Sequence, residues 1–153
     1  MAKKCTAVIL TLALATVLVA CSPKTSLTAQ EFSDRLEQAG YAVTVDEAMT
    51  DPSYSMSATA VDPDGRFTIE FYTLDSSESA RHAFDLVRND IRARTGTWYS
   101  RVETNASNFN VYRGTNDGAY FFISRVDSTF VYVETASGNR DAVNEAMRLL
   151  GYY

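Results

Sequence analysis

The chain has 153 residues, 46% of them hydrophobic and 22% charged, and its 14 basic and 19 acidic side chains give a formal net charge of −5. That composition suits one globular domain and excludes a disordered chain, a multidomain protein and a large barrel. The acidic balance argues against nucleic-acid binding, which draws most of its affinity from Lys and Arg neutralising phosphates.

Lys3 and Lys4 open the chain as a short positive region, and residues 5–17 follow as an almost unbroken apolar stretch. Such a stretch is too short to span a bilayer as a permanent helix. It ends in Leu18, Val19, Ala20 and Cys21, where small residues precede a cysteine. In these residues the leader resembles a bacterial lipoprotein signal peptide with its lipobox, Leu18 at minus three, Val19 at minus two, Ala20 at minus one and Cys21 as the lipid acceptor. The resemblance implies cleavage before Cys21, diacylglycerol on its thiol, and anchoring to the extracytoplasmic face of a bacterial cell membrane. The expected organisation is a signal peptide over 1–20, a lipidated cysteine with a polar tether over 21–27, and a globular domain over 28–153.

Removing the leader takes the basic count from 14 to 12 against 19 acidic residues, a net of −7. Lys24 is then the only lysine, so no lysine-rich tract offers a site for anionic lipid. Cys5 leaves with the leader and Cys21 is acylated, which leaves the domain without a free thiol or a disulfide. Its stability must come from its core.

Thr28 and Glu31 are spaced as a capping box, with Leu27 and Phe32 at the staple positions, so a helix should start at Ala29 and stop at Gly40. Residues 41–45 alternate as a short strand. A hairpin is expected around Asp62, Pro63, Asp64 and Gly65, with Pro at the second turn position and Gly at the fourth. Pairing Val61 with Arg66 puts Ala60, Ala58, Met56, Phe67, Ile69 and Phe71 on one face. The other face receives Ser55, Ser57, Thr59, Thr68, Glu70 and Tyr72.

Asp75 and Glu78 suggest a second capped helix over 76–94, with Ala80, Ala83, Phe84, Val87 and Ile91 as its apolar stripe. Residues 98–103, 109–113, 119–126 and 129–135 read as strands, with turns at 116–118 and 127–128. A last helix over 139–150 should bury Ala142, Val143, Ala146, Leu149 and Leu150, with Gly151 after it. The order of elements predicts an α+β domain, with an antiparallel sheet built from hairpins and packed against about three helices.

Candidate chemistry is sparse. His82 is the single histidine and falls opposite the apolar stripe of its helix, so no triad is expected, and no metal or cofactor either. Asp62 and Asp64 suit a turn better than a calcium loop, since the glycine comes at the fourth position and no distal glutamate follows. Arg81, Asp85, Arg88 and Arg92 share one side of the second helix, an arrangement of helical ion pairs more than a polyanion grip. Carboxylate catalysis would need Glu70, Glu103 or Glu134 to converge in a cleft.

Eighteen aromatic residues remain the most distinctive feature. Pairing Val126 with Thr129 places Phe122, Val131 and Val133 on one face, and Phe121, Ile123, Phe130 and Tyr132 on the other. Either both faces of this hairpin are covered, or one exposes an aromatic patch flanked by Arg125 and Glu134.

The expected function is that of a membrane-anchored binding module that catalyses no reaction, its partners being the membrane, through the lipid on Cys21, and an envelope or extracellular glycan, peptide or protein. Its candidate surfaces are Ser55, Ser57, Thr59, Thr68, Glu70 and Tyr72 on one hairpin and Arg125, Phe130 and Tyr132 on another. An inhibitor presenting residues 105–110 to an extracellular hydrolase, or a carboxylate-dependent envelope hydrolase, are the alternatives. Behind the leader the domain resembles the small uncharacterised lipoproteins of Gram-positive genomes, a likeness of layout that implies no activity.

Overall fold

A computed structural model describes residues 23–45 and 55–153, with the side chains of β2 described from Ala58 onward. The chain runs α1 (Ala29–Gln38), β1 (Ala42–Val45), β2 (Ser55–Val61), β3 (Thr68–Thr73), α2 (Ser77–Ala93), β4 (Trp98–Asn105), β5 (Phe109–Asn116), β6 (Ala119–Val126), β7 (Thr129–Ala136), a single 3₁₀ turn (Ser137–Asn139) and α3 (Arg140–Leu150). The seven strands form one antiparallel sheet in the order β1-β2-β3-β7-β6-β5-β4. This is the α+β architecture that the order of sequence patterns predicts. The leader with Leu18, Val19, Ala20 and Cys21 lies outside the described residues, as do the side chains of Ser55 and Ser57.

Helix α1 begins with the expected reciprocal cap. Thr28 Oγ1 accepts from the Glu31 amide at 3.1 Å, and Glu31 Oε2 accepts from the Thr28 amide at 2.8 Å. It ends at Gly40, whose φ of +87° lets the Tyr41 amide turn back to the Leu36 carbonyl at 3.0 Å. Helix α2 is capped by Ser76, whose hydroxyl accepts from the Ser79 amide, one residue later than the expected Asp75. Helix α3 buries Val143, Ala146, Met147 and Leu150. Leu149, expected in that stripe, falls at its edge, three residues from Ala146 but off the line of Val143, Met147 and Leu150, and is 45% exposed.

From Ala58 to Val61 the first hairpin keeps its expected faces but shifts register by two residues. Thr59 lies opposite Glu70, Ala60 opposite Ile69 and Val61 opposite Thr68. The cause is Asp62, whose buried carboxylate accepts from the amides of Arg66 and Phe67 and from Arg66 Nε at 2.7 Å. The turn hydrogen bond from the Gly65 amide to the Asp62 carbonyl forms as expected at 2.8 Å. Arg66 is then held in the loop, and pairing resumes only at Phe67, whose carbonyl accepts from the Asp62 amide. A two-residue shift preserves side-chain parity, so Ala58, Ala60, Ile69 and Phe71 still face the core. A bulge between Met56 and Ala58 completes the difference by setting Met56 opposite Tyr72 and Ser55 opposite Thr73.

Two cores flank the sheet. On one face α1 and α3 cover Ala60, Ile69, Phe71, Phe122, Val131 and Val133. On the other, α2 covers Tyr112, Phe121, Ile123 and Phe130. The aromatic β6–β7 hairpin is therefore covered on both sides, and every residue of β6 from Tyr120 to Val126 is buried. Helix α2 lies over β5, β6 and β7. Among the described residues, no element covers the same face of β1, β2 and β3, where Thr44, Val61 and Thr68 are exposed.

Candidate binding groove

The boundary between the covered and open parts of that face forms a groove of about 390 Å³. Strand β3 supplies Glu70 and Tyr72, β7 supplies Phe130 and Tyr132, and α2 supplies Leu86, Val87, Asp90 and Ile91 as the opposing wall. The β3–β7 register explains the floor, since Glu70 lies opposite Tyr132 and Tyr72 opposite Phe130. The Tyr72 and Phe130 rings are 5.8 Å apart, in the range of favourable aromatic contact. Tyr72 and Tyr132 are each half-buried, and Leu86 is 57% exposed beside them. A second depression of about 530 Å³ continues along the same flank of α2, lined by Leu74, Glu78 and His82 and sharing Leu86 and Val87 with the first.

Each strand carries a tyrosine bonded to a carboxylate two residues away. Tyr72 Oη donates to Glu70 Oε2 at 2.5 Å, and Tyr132 Oη donates to Glu134 Oε2 at 2.6 Å. Arg94, the residue that follows α2, reaches Glu134 with Nη1 at 2.7 Å. Burial pushes the Tyr132 phenol far above its ordinary value, and the bond to Glu134 adds to the effect. Burial would raise Glu134, but the bonds from Arg94 and Tyr132 outweigh it and hold the carboxyl below its ordinary range. Glu70 and Asp90 are the two charged side chains that line the groove, Asp90 pairing with Arg94 at 3.6 Å.

The nine surface residues read from the sequence separate on this geometry. Glu70, Tyr72, Phe130 and Tyr132 come together in the groove, although Phe130 is its buried floor and not an exposed contact. Thr59 and Thr68 lie on the open sheet beside it. Arg125 does not belong to this surface. It is 3% exposed, donates from Nε to Asn110 Oδ1 at 2.8 Å and from Nη1 to the Asp127 carbonyl at 3.2 Å, and lines a separate polar pocket with Ser77, Glu78, Arg81 and Ser107.

Leu86 and Asp90 were invisible to a search for surfaces on strands. The signal that finds Leu86 is its place in the helix, an apolar residue off the stripe formed by Ala80, Ala83, Phe84, Val87 and Ile91.

The other candidate chemistries are drawn apart. Glu103 pairs with Arg88 at 3.0 Å and Arg92 at 3.6 Å on the β4 flank of α2, whereas Glu134 pairs with Arg94 on the β7 flank. Three strand spacings, roughly 14 Å, separate β4 from β7. Arg88 also bonds Asp85 at 2.9 Å, so the arginines of α2 pin the helix to the sheet and to itself. Asn105 and Asn110 are paired strand residues, which reduces the loop between them to residues 106–108. His82 is exposed. Among the described residues, no three histidine, cysteine, aspartate or glutamate side chains converge to hold a metal ion.

No family model and no curated protein matches the chain. Among solved structures, it is similar to a GTP binding regulator from Thermotoga maritima, at 16% identity and a TM-score of 0.49 over 84% of this chain and 91% of that one.

Proposed function

We propose that the chain is a lipid-anchored, extracytoplasmic binding module that takes a short basic peptide segment along the β3 flank of α2. One observation carries the ligand reading: Leu86 stands exposed over two half-buried tyrosines on a surface rimmed by Glu70 and Asp90. An exposed apolar residue in an acidic, aromatic groove suits a partner with an apolar face and positive charge or hydrogen-bond donors around it. The two depressions run from Glu78 to Asp90, about 18 Å of helix and long enough for roughly five extended residues. An elongated site of this shape favours a peptide over a single sugar.

The anchor rests on the lipobox. Cys21→Ala should move the protein from the membrane to the soluble fraction, and sedimentation with membranes despite the change would contradict anchoring. The groove is tested by a thermal-shift screen of residues 22–153, which contain every core residue among those described, against short Arg- and Lys-containing peptides and neutral oligosaccharides. A ligand at a hundred times its dissociation constant stabilises by about 2.7 kcal/mol. Leu86→Glu should leave the melting point of the free domain within about a degree and abolish the peptide-induced shift. Undiminished stabilisation of that variant would place the ligand elsewhere.

A further inference from the structure

We infer that one end of the domain is held against the lipid, the end carrying Lys24, the 106–108 turn and the 127–128 turn, so that the α2 groove runs up the side of the domain and stays open to a soluble partner. This rests on the reading of Cys21 as the lipid acceptor.

Within the segment expected to form a polar tether, Lys24 and Leu27 are fastened to the domain. The Lys24 amide donates to Asn108 Oδ1 at 3.3 Å, and Asn108 Nδ2 donates back to the Lys24 carbonyl at 2.7 Å. Lys24 Nζ donates to the carbonyls of Gly151 at 2.9 Å and Tyr153 at 2.5 Å and sits 5.0 Å from the centre of the Phe109 ring. Leu27, three residues on, is buried and donates its amide to Tyr152 Oη at 3.3 Å. The only lysine behind the leader therefore joins the start of the domain to its last residues.

Only Ser22 and Pro23 separate Cys21 from Lys24. Three peptide steps reach about 11 Å at full extension, so the acylated cysteine cannot lie farther than that from the Lys24 backbone. Strand β7 runs away from this end for eight residues, about 23 Å, to the 3₁₀ turn containing Gly138. Turning the domain over would need a tether more than twice as long as the chain supplies. Attraction to lipid is not the cause, because Asp75 and Asp127 are acidic and Lys24 is occupied by carbonyls. The orientation should therefore be insensitive to anionic lipid content and to salt.

The absence of any other cysteine behind Cys21 permits a single label at a chosen position. Ser107→Cys and Gly138→Cys fall at exposed positions at the two ends, and a Cβ at Gly138 meets no atom within 4 Å. The full chain, processed in cells, purified from membranes and floated with phosphatidylcholine vesicles, would be labelled with a donor dye, the acceptor being carried on lipid headgroups. Energy transfer should be several-fold stronger from position 107 than from 138. Inserting about twelve Gly and Ser residues between Ser22 and Pro23 should remove the contrast. Equal transfer, stronger transfer from 138, or a contrast that survives the insertion would overturn the orientation while leaving the anchor intact. Failure to float with the vesicles would overturn the anchor, and the inference with it.

Discussion

Strands β5, β6 and β7 are covered on both faces, whereas β1, β2 and β3 are covered by α1 and α3 on one face and by no described element on the other. The two regions differ in sequence in the way their surroundings demand. Strand β6 is buried from Tyr120 to Val126, and a strand between two apolar layers has no reason to alternate. In β3 the burial alternates, with Ile69 and Phe71 inside and Thr68 exposed. Helix α2 covers only part of the sheet, and the step at its edge becomes a groove instead of a flat surface. Among the described residues, the groove arises from incomplete coverage of the sheet by α2.

The largest expected effect breaks the covered region. Phe122→Ala removes a fully buried ring between β6 and the α1–α3 layer and should cost about 3–5 kcal/mol in denaturant unfolding. Thr59→Ala on the open face should cost less than about 0.5 kcal/mol by the same measurement. Comparable losses at both positions would mean that the two regions do not differ in coverage.

Alkaline titration sharpens the same contrast. Tyr120 donates to Asn144 Oδ1 at 2.7 Å inside the α3 layer, and burial pushes its phenol up to about 12. The fold thus favours the neutral phenol. Its stabilising contribution is complete below the unfolded value near 10 and is lost as pH rises toward 12, about 2–3 kcal/mol in all. Tyr120→Phe should flatten that part of the pH–stability curve; a fall of equal depth in the variant would assign the effect to other groups.

A smaller effect concerns the helix that creates the step. Arg94→Ala cuts the link from α2 to Glu134 on one flank, leaving Arg88 and Glu103 on the other. These side chains are partly solvated, so the loss should be at most about 1 kcal/mol and should shrink in high salt. A loss of several kcal/mol that salt does not alter would show Arg94 to be part of the core.

Much of the fold was legible because its signals are local. The Thr28 and Glu31 cap, the glycine stops and the strand alternation each act within a few residues. The register of the first hairpin was not, because it depends on how many amides the Asp62 carboxylate captures, and the turn sequence alone does not count them. Arg125 and Phe130 looked like surface residues because the sequence does not say which strands α2 covers. Half of the groove was visible as Glu70, Tyr72, Phe130 and Tyr132. Its helical wall emerged only when α2 was placed beside β3 and β7.

The most direct test of the groove is to follow backbone amide resonances of labelled residues 22–153 during titration with a pool of short basic peptides. The account predicts that Glu70, Tyr72, Leu86, Asp90 and Tyr132 shift together and saturate at one concentration, while Thr44 and the α1–α3 face stay still. Shifts confined to α1 and α3, or no shifts at millimolar peptide, would contradict it.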